Sequence, residues 1–530
     1  MSIQQSSHGG IELADAIQSL YREGQTDYSM EPILLADLHG EPIGRIHDGD
    51  AVIFCCRRGE REVQLTEAFV DPSLPDFNQE NFSHLPFVIL TLYHEKFKDL
   101  PVAFAPTKIS DTLTEIISQQ HLHQYHLAES EKFSHVTFFL NGGISQPFPD
   151  ETDIRIPSHK DIPVEQNPEL SLPEVTNQLG HALGENYDFL VVNFANGDVI
   201  GHTQDREAKL RCAALVDSQL GYVLDAAKAT KTLVMVTADH GNLETLYTPD
   251  GKPHVSHTAN PVPFIVIPSK PEKSYQLHTG SLADIAPTVL DTLGIAQPSS
   301  MTGNSLFEGE KNMKTQSVLL IILDGWGMGK NDDTNPIYLA HTPVWDRLLK
   351  EYPCTYLRAS GESVGLKTGK AGNSEAGHMN IGAGRVVLQD DVRLDMAMQD
   401  GSFYRNEIFL STMEDVRHNN SSLHLISLLS EKSSHGSIDY PLALLQMANE
   451  KKLDQIYIHL ILDGRSTEPG SAPSLLSYLD HKIAEIGKGK IVTCVGRGIA
   501  LDRDGNYQKT QITYDALVYG NGRKQRIAIH

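Results

Sequence analysis

Between about residues 107 and 388, short apolar runs closed by polar turns alternate with longer stretches of helical period. The runs are HVTFFL (135–140), DFLVVNF (188–194), TLVMVTA (232–238), PFIVI (263–267) and SVLLIIL (317–323). Between them lie REAKLRCAALVDSQLGYVLDAAK (206–228) and LADIAPTVLDTLG (282–294), which carry apolar residues at helical spacing. Runs that are apolar throughout, rather than alternating, are expected of parallel strands buried on both faces. Alternation with helices predicts an α/β sheet covered on both sides. In such a sheet, functional groups belong at the carboxyl ends of the strands.

The stretch 296–316, AQPSSMTGNSLFEGEKNMKTQ, has little periodicity and reads as a loop or linker. The flanks, 1–106 and 389–530, carry further strand-like runs: AVIFCC, FVILTLY, LHLISLL, QIYIHLIL and KIVTCVG. No internal repeat is evident. A chain of 530 residues exceeds one ordinary core, so two large domains are expected.

Composition narrows the partners. Hydrophobic residues make up 40% and charged residues 21%, as in a soluble globular chain. A net charge of −24 argues against nucleic acid, because no basic excess is available to neutralise phosphates. No apolar run is long enough to span a membrane, and MSIQQSSHGG lacks the apolar centre of a signal peptide. The five cysteines (Cys55, Cys56, Cys212, Cys354 and Cys494) are odd in number and scattered. Neither a disulfide framework nor a CxxC zinc site is expected, and a reduced cytoplasmic setting fits.

The chemistry lies at the strand ends. Asp198-Val-Ile-Gly-His202 follows one run, Asp239-His240-Gly241 follows a second, and SVLLIIL ends in Asp324-Gly-Trp-Gly. His257 and Gly-Asn-Ser374-Glu-Ala-Gly-His complete the set. Carboxylates and imidazoles suit manganese or zinc, with no thiol among them. One ion could take Asp198, His202 and His257, and another Asp324, Ser374, Asp239 and His240. A cation beside the Ser374 hydroxyl would make it a nucleophile at neutral pH, and a pair could clamp a phosphoryl group. Taken singly, each element has a plainer reading. Asp-Gly after a strand is usually a turn. Asn-Ser-Glu is usually a helix start with Ser374 as its cap. His257 alone reads as a surface loop residue. Their coincidence at compatible strand ends carries the assignment.

LDGWG, GNSEAGHMNIGAGR, NFANGDVIGHT, VTADHGN and HTANPVPF closely resemble the cofactor-independent phosphoglycerate mutases, two-manganese members of the alkaline phosphatase superfamily. LLSEKSSHGS, LDGRSTEPGSA, VGRGIALDRD, CRRGEREVQLT and AESEKFSHVTFFLNGG extend the resemblance over nearly the whole chain. The order is unusual. In that family the LDGWG strand lies near the N-terminus and ADHGN near the C-terminus, whereas here LDGWG follows ADHGN. The resemblance therefore implies a circular permutant, joined through 296–316, with Met313 near the former start. It implies a continuous phosphatase-like domain at 107–388. The transferase-like domain is then split between 1–106 and 389–530.

The resemblance also implies roles. Ser374 would be phosphorylated, and two manganese ions would occupy the two ligand sets above, with no bisphosphoglycerate cofactor. His435, Arg465, Arg497, Arg503, Arg58, Arg61 and Lys132 match substrate-contacting positions. Several arginines suit a phosphate plus a carboxylate, since guanidinium binds both bidentately; singly, an exposed arginine is ordinary solvated surface. Ser466 stands where the family's LDGRD has an aspartate, SEKSSHGS replaces SDGGVHSH, RGER replaces RPDR, and Tyr507 replaces a tryptophan. The implied activity is interconversion of 3-phosphoglycerate and 2-phosphoglycerate by a cytoplasmic monomer acting on a small molecule. Its rivals are a phosphatase or phosphopentomutase on the same scaffold and a non-catalytic binding protein.

Overall fold

A computed structural model describes residues 8–57, 59–74, 77–106, 109–159, 162–269, 276–309, 317–431, 433 and 435–527. The chain divides into two compact units: Met1–Thr107 with Arg393–His530, and Lys108–Val392. Each holds one eight-stranded sheet flanked by helices, an α/β architecture.

In the second unit the sheet order is Gly280–Ser281, Cys354–Arg358, Val262–Ile267, Leu233–Thr237, Val318–Leu323, Phe189–Phe194, Gln124–Glu129, Glu151–Ile156. Val318–Leu323 is central and runs parallel to both neighbours, Leu320 facing Met235 on one side and Val191 on the other. All six of its residues are buried. Each such aliphatic side chain contributes about 1.5–3 kcal/mol through burial, which fixes this strand in the middle of the layer.

Two strand expectations need correction. Val262–Ile267 is antiparallel to both Leu233–Thr237 and Cys354–Arg358. It is joined to Leu233–Thr237 by a loop without a helix, whereas a parallel return requires a long crossover connection, usually helical. HVTFFL is not a strand: His135–Phe139 forms a turn of π-helix. Val136 and Leu140, four apart, are fully buried on one side of it, so the run packs with a helical period despite its β-branched and aromatic residues. The neighbouring strand is instead Gln124–Glu129, whose mixed polar composition concealed it. The two long helical patterns form Arg206–Thr230 and, after a short 3-10 turn, Ile285–Leu293.

The stretch expected to be a linker is partly core. Met301, Leu306 and Phe307 are buried against the second unit. Residues 310–316, Met313 among them, lie outside the described residues.

The first unit's sheet runs Arg523–Arg526, Ile33–Ala36, Lys490–Gly496, Ile456–Leu462, Leu423–Leu429, Ala51–Phe54, Phe87–Thr91, Val102–Phe104. Alternate residues supply two cores. Leu423, Leu425 and Leu429 pack on one face, Ile426 and Leu428 on the other. Among the described residues, no helix is long and apolar enough to cross a membrane.

Candidate active site

Three loops at the carboxyl ends of central strands build the site in the second unit. Asp324 directly follows Val318–Leu323, and Asp239 lies two residues beyond Leu233–Thr237. Asp198 lies in the short helix Asn196–Gly201 that follows Phe189–Phe194. The loops interlock closely. Gly325 has φ +71°, and a Cβ there would stand 2.6 Å from the Asp198 backbone nitrogen. Only glycine tolerates both constraints, which explains Asp-Gly in LDGWG. Buried Glu244 ties the loops together. It accepts from the backbone N–H of Asn242 (2.8 Å) and Gly327 (3.1 Å), from the Asn260 amide (2.9 Å), and from the Thr258 hydroxyl.

Ser374 opens the helix Ser374–Ala383. It is the first helical residue and not the cap; the Asn373 side chain caps, accepting from the Ala376 N–H at 2.8 Å. That leaves the Ser374 hydroxyl free of capping duty at a helix N-terminus, where backbone N–H groups favour an anion. The helix fits against Asp239 because residue 377 is glycine: a Cβ there would lie 2.8 Å from the Asp239 Cβ. Ser374 Oγ receives a hydrogen bond from Lys132 Nζ (2.7 Å), donates to Asp324 Oδ1 (3.1 Å) and lies 2.9 Å from His240 Nε2. Lys132 Nζ also donates to Asp198 Oδ2 (2.7 Å) and Asp324 Oδ1 (2.9 Å). Lys132 was expected among substrate-contacting residues; the fold brings it against the hydroxyl and two candidate metal ligands.

A second group forms beside it. His202 Nε2 and His257 Nε2 lie 3.2 and 3.1 Å from Asp198 Oδ1, and 3.2 Å from each other. The Nδ1 atom of His202 faces Val255 O at 2.9 Å, and that of His257 faces Gly372 O at 2.8 Å. With Nδ1–H donating to those carbonyls, both rings turn their Nε2 lone pairs inward, toward one another and toward a carboxylate. Lone pairs so directed call for a proton or a metal cation between them, and outer carbonyls that fix the tautomer are the usual support of metal-ligating histidines. His240 stacks on His257 with ring centroids 4.0 Å apart, and Asp239, His240 and Asp324 converge as a second candidate ligand set. Asp239 Oδ2 is buried and has no hydrogen-bond partner among the described residues. Three buried carboxylates against one ammonium, an orphaned oxygen and inward lone pairs fit divalent cations.

The electrostatics agree with this donor set. Burial alone would raise the carboxyl of Asp198, but the Lys132 ammonium and the imidazoles of His202 and His257 hold it far below the usual range. Asp324 is likewise held low by Lys132 against its burial. Asp239 goes the other way: burial and repulsion from Asp324 push it up. His202 and His257 are raised by Asp198.

Sequence reasoning missed the supporting residues. The Asn193 amide donates to Asp324 Oδ2 (2.7 Å) and lies 3.1 Å from His378 Nε2; the Asn242 amide donates to Asp198 Oδ1 (2.9 Å). Asn193 is the one polar residue within the apolar run FLVVNF and Asn242 closes ADHGN just beyond another such run, so a polar residue at or near the end of an apolar run was the available signal. His126, Glu151 and Asp153 also cluster, on adjacent strands. Burial pushes the His126 imidazole down to about 4, and its ring nitrogens lie 2.8 Å from Val136 O and 3.4 Å from Gln124 Oε1, so the ring is engaged within the fold.

The remaining candidates lie in the first unit. His435 is buried, with Nδ1 2.9 Å from Glu62 Oε1. Arg497 is buried and ion-paired with Asp463, whose other oxygen accepts from the Ser466 N–H at 3.1 Å. Ser466 Oγ lies 3.3 Å from Ser433 Oγ. Buried Arg61 donates to Leu501 O at 3.0 Å, while Arg465 and Arg503 are exposed. Arg58 lies outside the described residues. Its neighbour Arg57, not singled out from the sequence, is buried, donates to Ser433 O at 2.9 Å and bonds the Tyr440 hydroxyl. Arg57, Arg61 and Arg497 are thus buried and bonded within the unit, and Arg465 and Arg503 are exposed.

Comparison with known proteins adds two family matches. The model described as "Metalloenzyme superfamily" matches residues 16–297, and "BPG-independent PGAM N-terminus" matches residues 394–530. A 2,3-bisphosphoglycerate-independent phosphoglycerate mutase of Moorella thermoacetica is 41% identical over 300 residues, 56% of this chain and 58% of its own. Proteins of the same name from Chloroflexus aggregans and Bacteroides thetaiotaomicron are 40% and 38% identical, again over 58% of their own lengths. The chain thus spans a little over half the length of the curated relatives it matches. "Crystal structures of Leishmania mexicana phosphoglycerate mutase at low cobalt concentration" aligns with 52% of this chain and 53% of that one, at 28% identity. Its TM-score is 0.42, too low to carry an argument. With a match extending over more than half of its residues, and a donor set that suits divalent cations, the chain belongs to the Metalloenzyme superfamily.

Proposed function

We propose that this chain interconverts 3-phosphoglycerate and 2-phosphoglycerate without a bisphosphoglycerate cofactor, with Ser374 transiently phosphorylated. The carrying observation is the Ser374 hydroxyl, which opens a helix and lies within 3.1 Å of Lys132, His240 and Asp324. The printed names of the relatives and the match at 394–530 support phosphoglycerate as the substrate. Asp198, His202 and His257 would hold one manganese, and Asp324, Asp239, His240 and Ser374 the other. The ions would lower the pKa of the serine hydroxyl and neutralise phosphoryl charge.

The chain's own residues do the rest. Asp324 accepts the Ser374 proton in the resting arrangement. Lys132 holds the hydroxyl oxygen and supplies a fixed positive charge to the phosphoryl oxygens. The backbone N–H groups at the start of Ser374–Ala383 face the same anion. The reading assigns retention of glycerate to the first unit, through His435, Ser466, Arg61, Arg465, Arg497, Arg503 and Arg58. The divisions 1–106, 107–388 and 389–530 and the circular permutation belong to it too. The "N-terminus" match falling after the metalloenzyme match supports that order. The reading also includes a role in glycolysis and gluconeogenesis, a cytoplasmic location and action as a monomer.

The test is a coupled assay from 3-phosphoglycerate to phosphoenolpyruvate with enolase, with and without manganese. Metal-dependent product supports the reading. Release of inorganic phosphate alone overturns it in favour of a phosphatase.

A further inference from the structure

Glu62, in the helix Gly59–Val70, is fully buried, and its Oε1 lies 2.9 Å from His435 Nδ1. Its Oε2 is buried with no hydrogen-bond partner among the described residues. The contact is therefore the one bond made by a costly buried carboxyl. The backbone around the contact is itself hydrogen-bonded. The His435 carbonyl accepts from the Arg57 N–H at 2.9 Å, its own N–H donates to Ser433 Oγ at 3.2 Å, and Gly436 bridges to Cys56. The other ionisable groups facing Glu62 are Cys56, Tyr93 and Arg497. Arg497 is paired with Asp463, while burial keeps Cys56 and Tyr93 in their neutral forms. Among the described residues no hydrogen bond reaches His435 Nε2. Ser466 and Ser433 close the same local network.

We propose that Glu62 is a positioning residue that, by accepting the Nδ1–H of His435, holds the imidazole in the tautomer whose Nε2 takes the proton of a substrate hydroxyl. The substrate role rests on the reading of the first unit as the part that retains glycerate. The arginines there are donors only, and Asp463 is committed to Arg497 and the Ser466 N–H. His435 is then the group able to accept a proton. In the step, the O–H bond of the substrate breaks and its proton bonds to Nε2, while the electron pair stays on the substrate oxygen. The imidazolium keeps Nδ1–H on Glu62 Oε1, and the reverse step returns the proton.

Two arms test this. With ring-labelled histidine, the nitrogen chemical shifts of His435, assigned by loss of its signals in His435→Gln, report the tautomer in the full chain without any substrate. The wild type should carry the proton on Nδ1. Glu62→Leu, which removes the acceptor, should lose that preference. Glu62→Gln, which keeps a polar group if the leucine variant fails to fold, can turn either its oxygen or its NH2 to the ring and should weaken the preference. In turnover of phosphoglycerate, either variant should lower kcat about a hundredfold, the lower end of a general acid–base contribution, with KM changed less than threefold. An unchanged tautomer in the variants overturns the proposal, and so does a lost tautomer with full kcat. If wild-type chain turns over no phosphoglycerate, the functional reading fails while the shifts still decide the role of Glu62.

Discussion

The ammonium of Lys132 stands 2.7 Å from the hydroxyl oxygen of Ser374, and the same nitrogen reaches Asp198 and Asp324. Lys132 is buried, and three carboxylates, Asp324 first, raise its pKa well above the usual lysine range against that burial. That direction favours the charged ammonium over a basic amine. The proposed role of Lys132 is a fixed positive charge beside the Ser374 hydroxyl. Lys132→Ala should lower kcat by roughly a hundred- to a thousandfold, the cost of removing one preorganised charge donor. Metal content, measured by elemental analysis, should stay at the wild-type level. A kcat within threefold of wild type would falsify this role.

Ser374→Ala removes the proposed nucleophile and leaves Lys132 and the carboxylates in place. Turnover should fall by several orders of magnitude while phosphoglycerate still binds, as read by calorimetry. Phosphopeptide mapping of the quenched wild-type enzyme should find phosphate on Ser374; phosphate on any other residue rules the mechanism out.

Chelation should abolish turnover and lower the melting temperature, because a ligand that binds only the folded state stabilises it by mass action. Manganese should restore both. Asp198 raises the pKa values of His202 and His257, so protons compete with metal at those nitrogens from above the ordinary histidine value of about 6.5. Metal affinity should therefore decline as pH falls through that region. A metal-stripped sample with full activity is the contrary result.

Ser466 offers a neutral hydroxyl, which accepts a weaker hydrogen bond than a carboxylate does, by roughly a factor of two. On the proposed function, the glycerate intermediate should leak, so that inorganic phosphate accumulates alongside 2-phosphoglycerate. Ser466→Asp should lower the ratio of phosphate to product. No detectable phosphate over many turnovers in the wild type would make Ser466 a harmless replacement.

Asp153 shares a partly buried strand face with Glu151 and His126, and burial, aided by Glu151, pushes its carboxyl up to about 7. A carboxyl raised on folding stabilises fully at low pH and loses that contribution as pH rises through its folded value. Asp153→Asn is uncharged throughout. Its melting temperature relative to wild type should therefore rise between pH 5 and pH 8, on the order of 2–4 °C, measured by calorimetry. An equal difference at both pH values refutes the assignment.

The sequence alone determined the α/β class, because strands buried on both faces must be apolar throughout, as VLLIIL and FLVVNF are. It also located Asp198, Asp239 and Asp324 at or just beyond strand ends, since a carboxylate directly after such a run can only sit at the sheet's edge. It misjudged HVTFFL, where burial four residues apart outweighed β propensity, and it overlooked Gln124–Glu129, whose polar residues are satisfied by distant partners such as Thr114 O and Val136 O. The tertiary structure decided that Lys132 meets Ser374 across 242 residues, that Asn373 and not Ser374 caps the helix, and that Glu62 meets His435 across 373. Such pairings leave no local trace, because hydrogen bonds between loops depend on which strands become neighbours, and strand order is set by packing of the whole sheet rather than by any one segment.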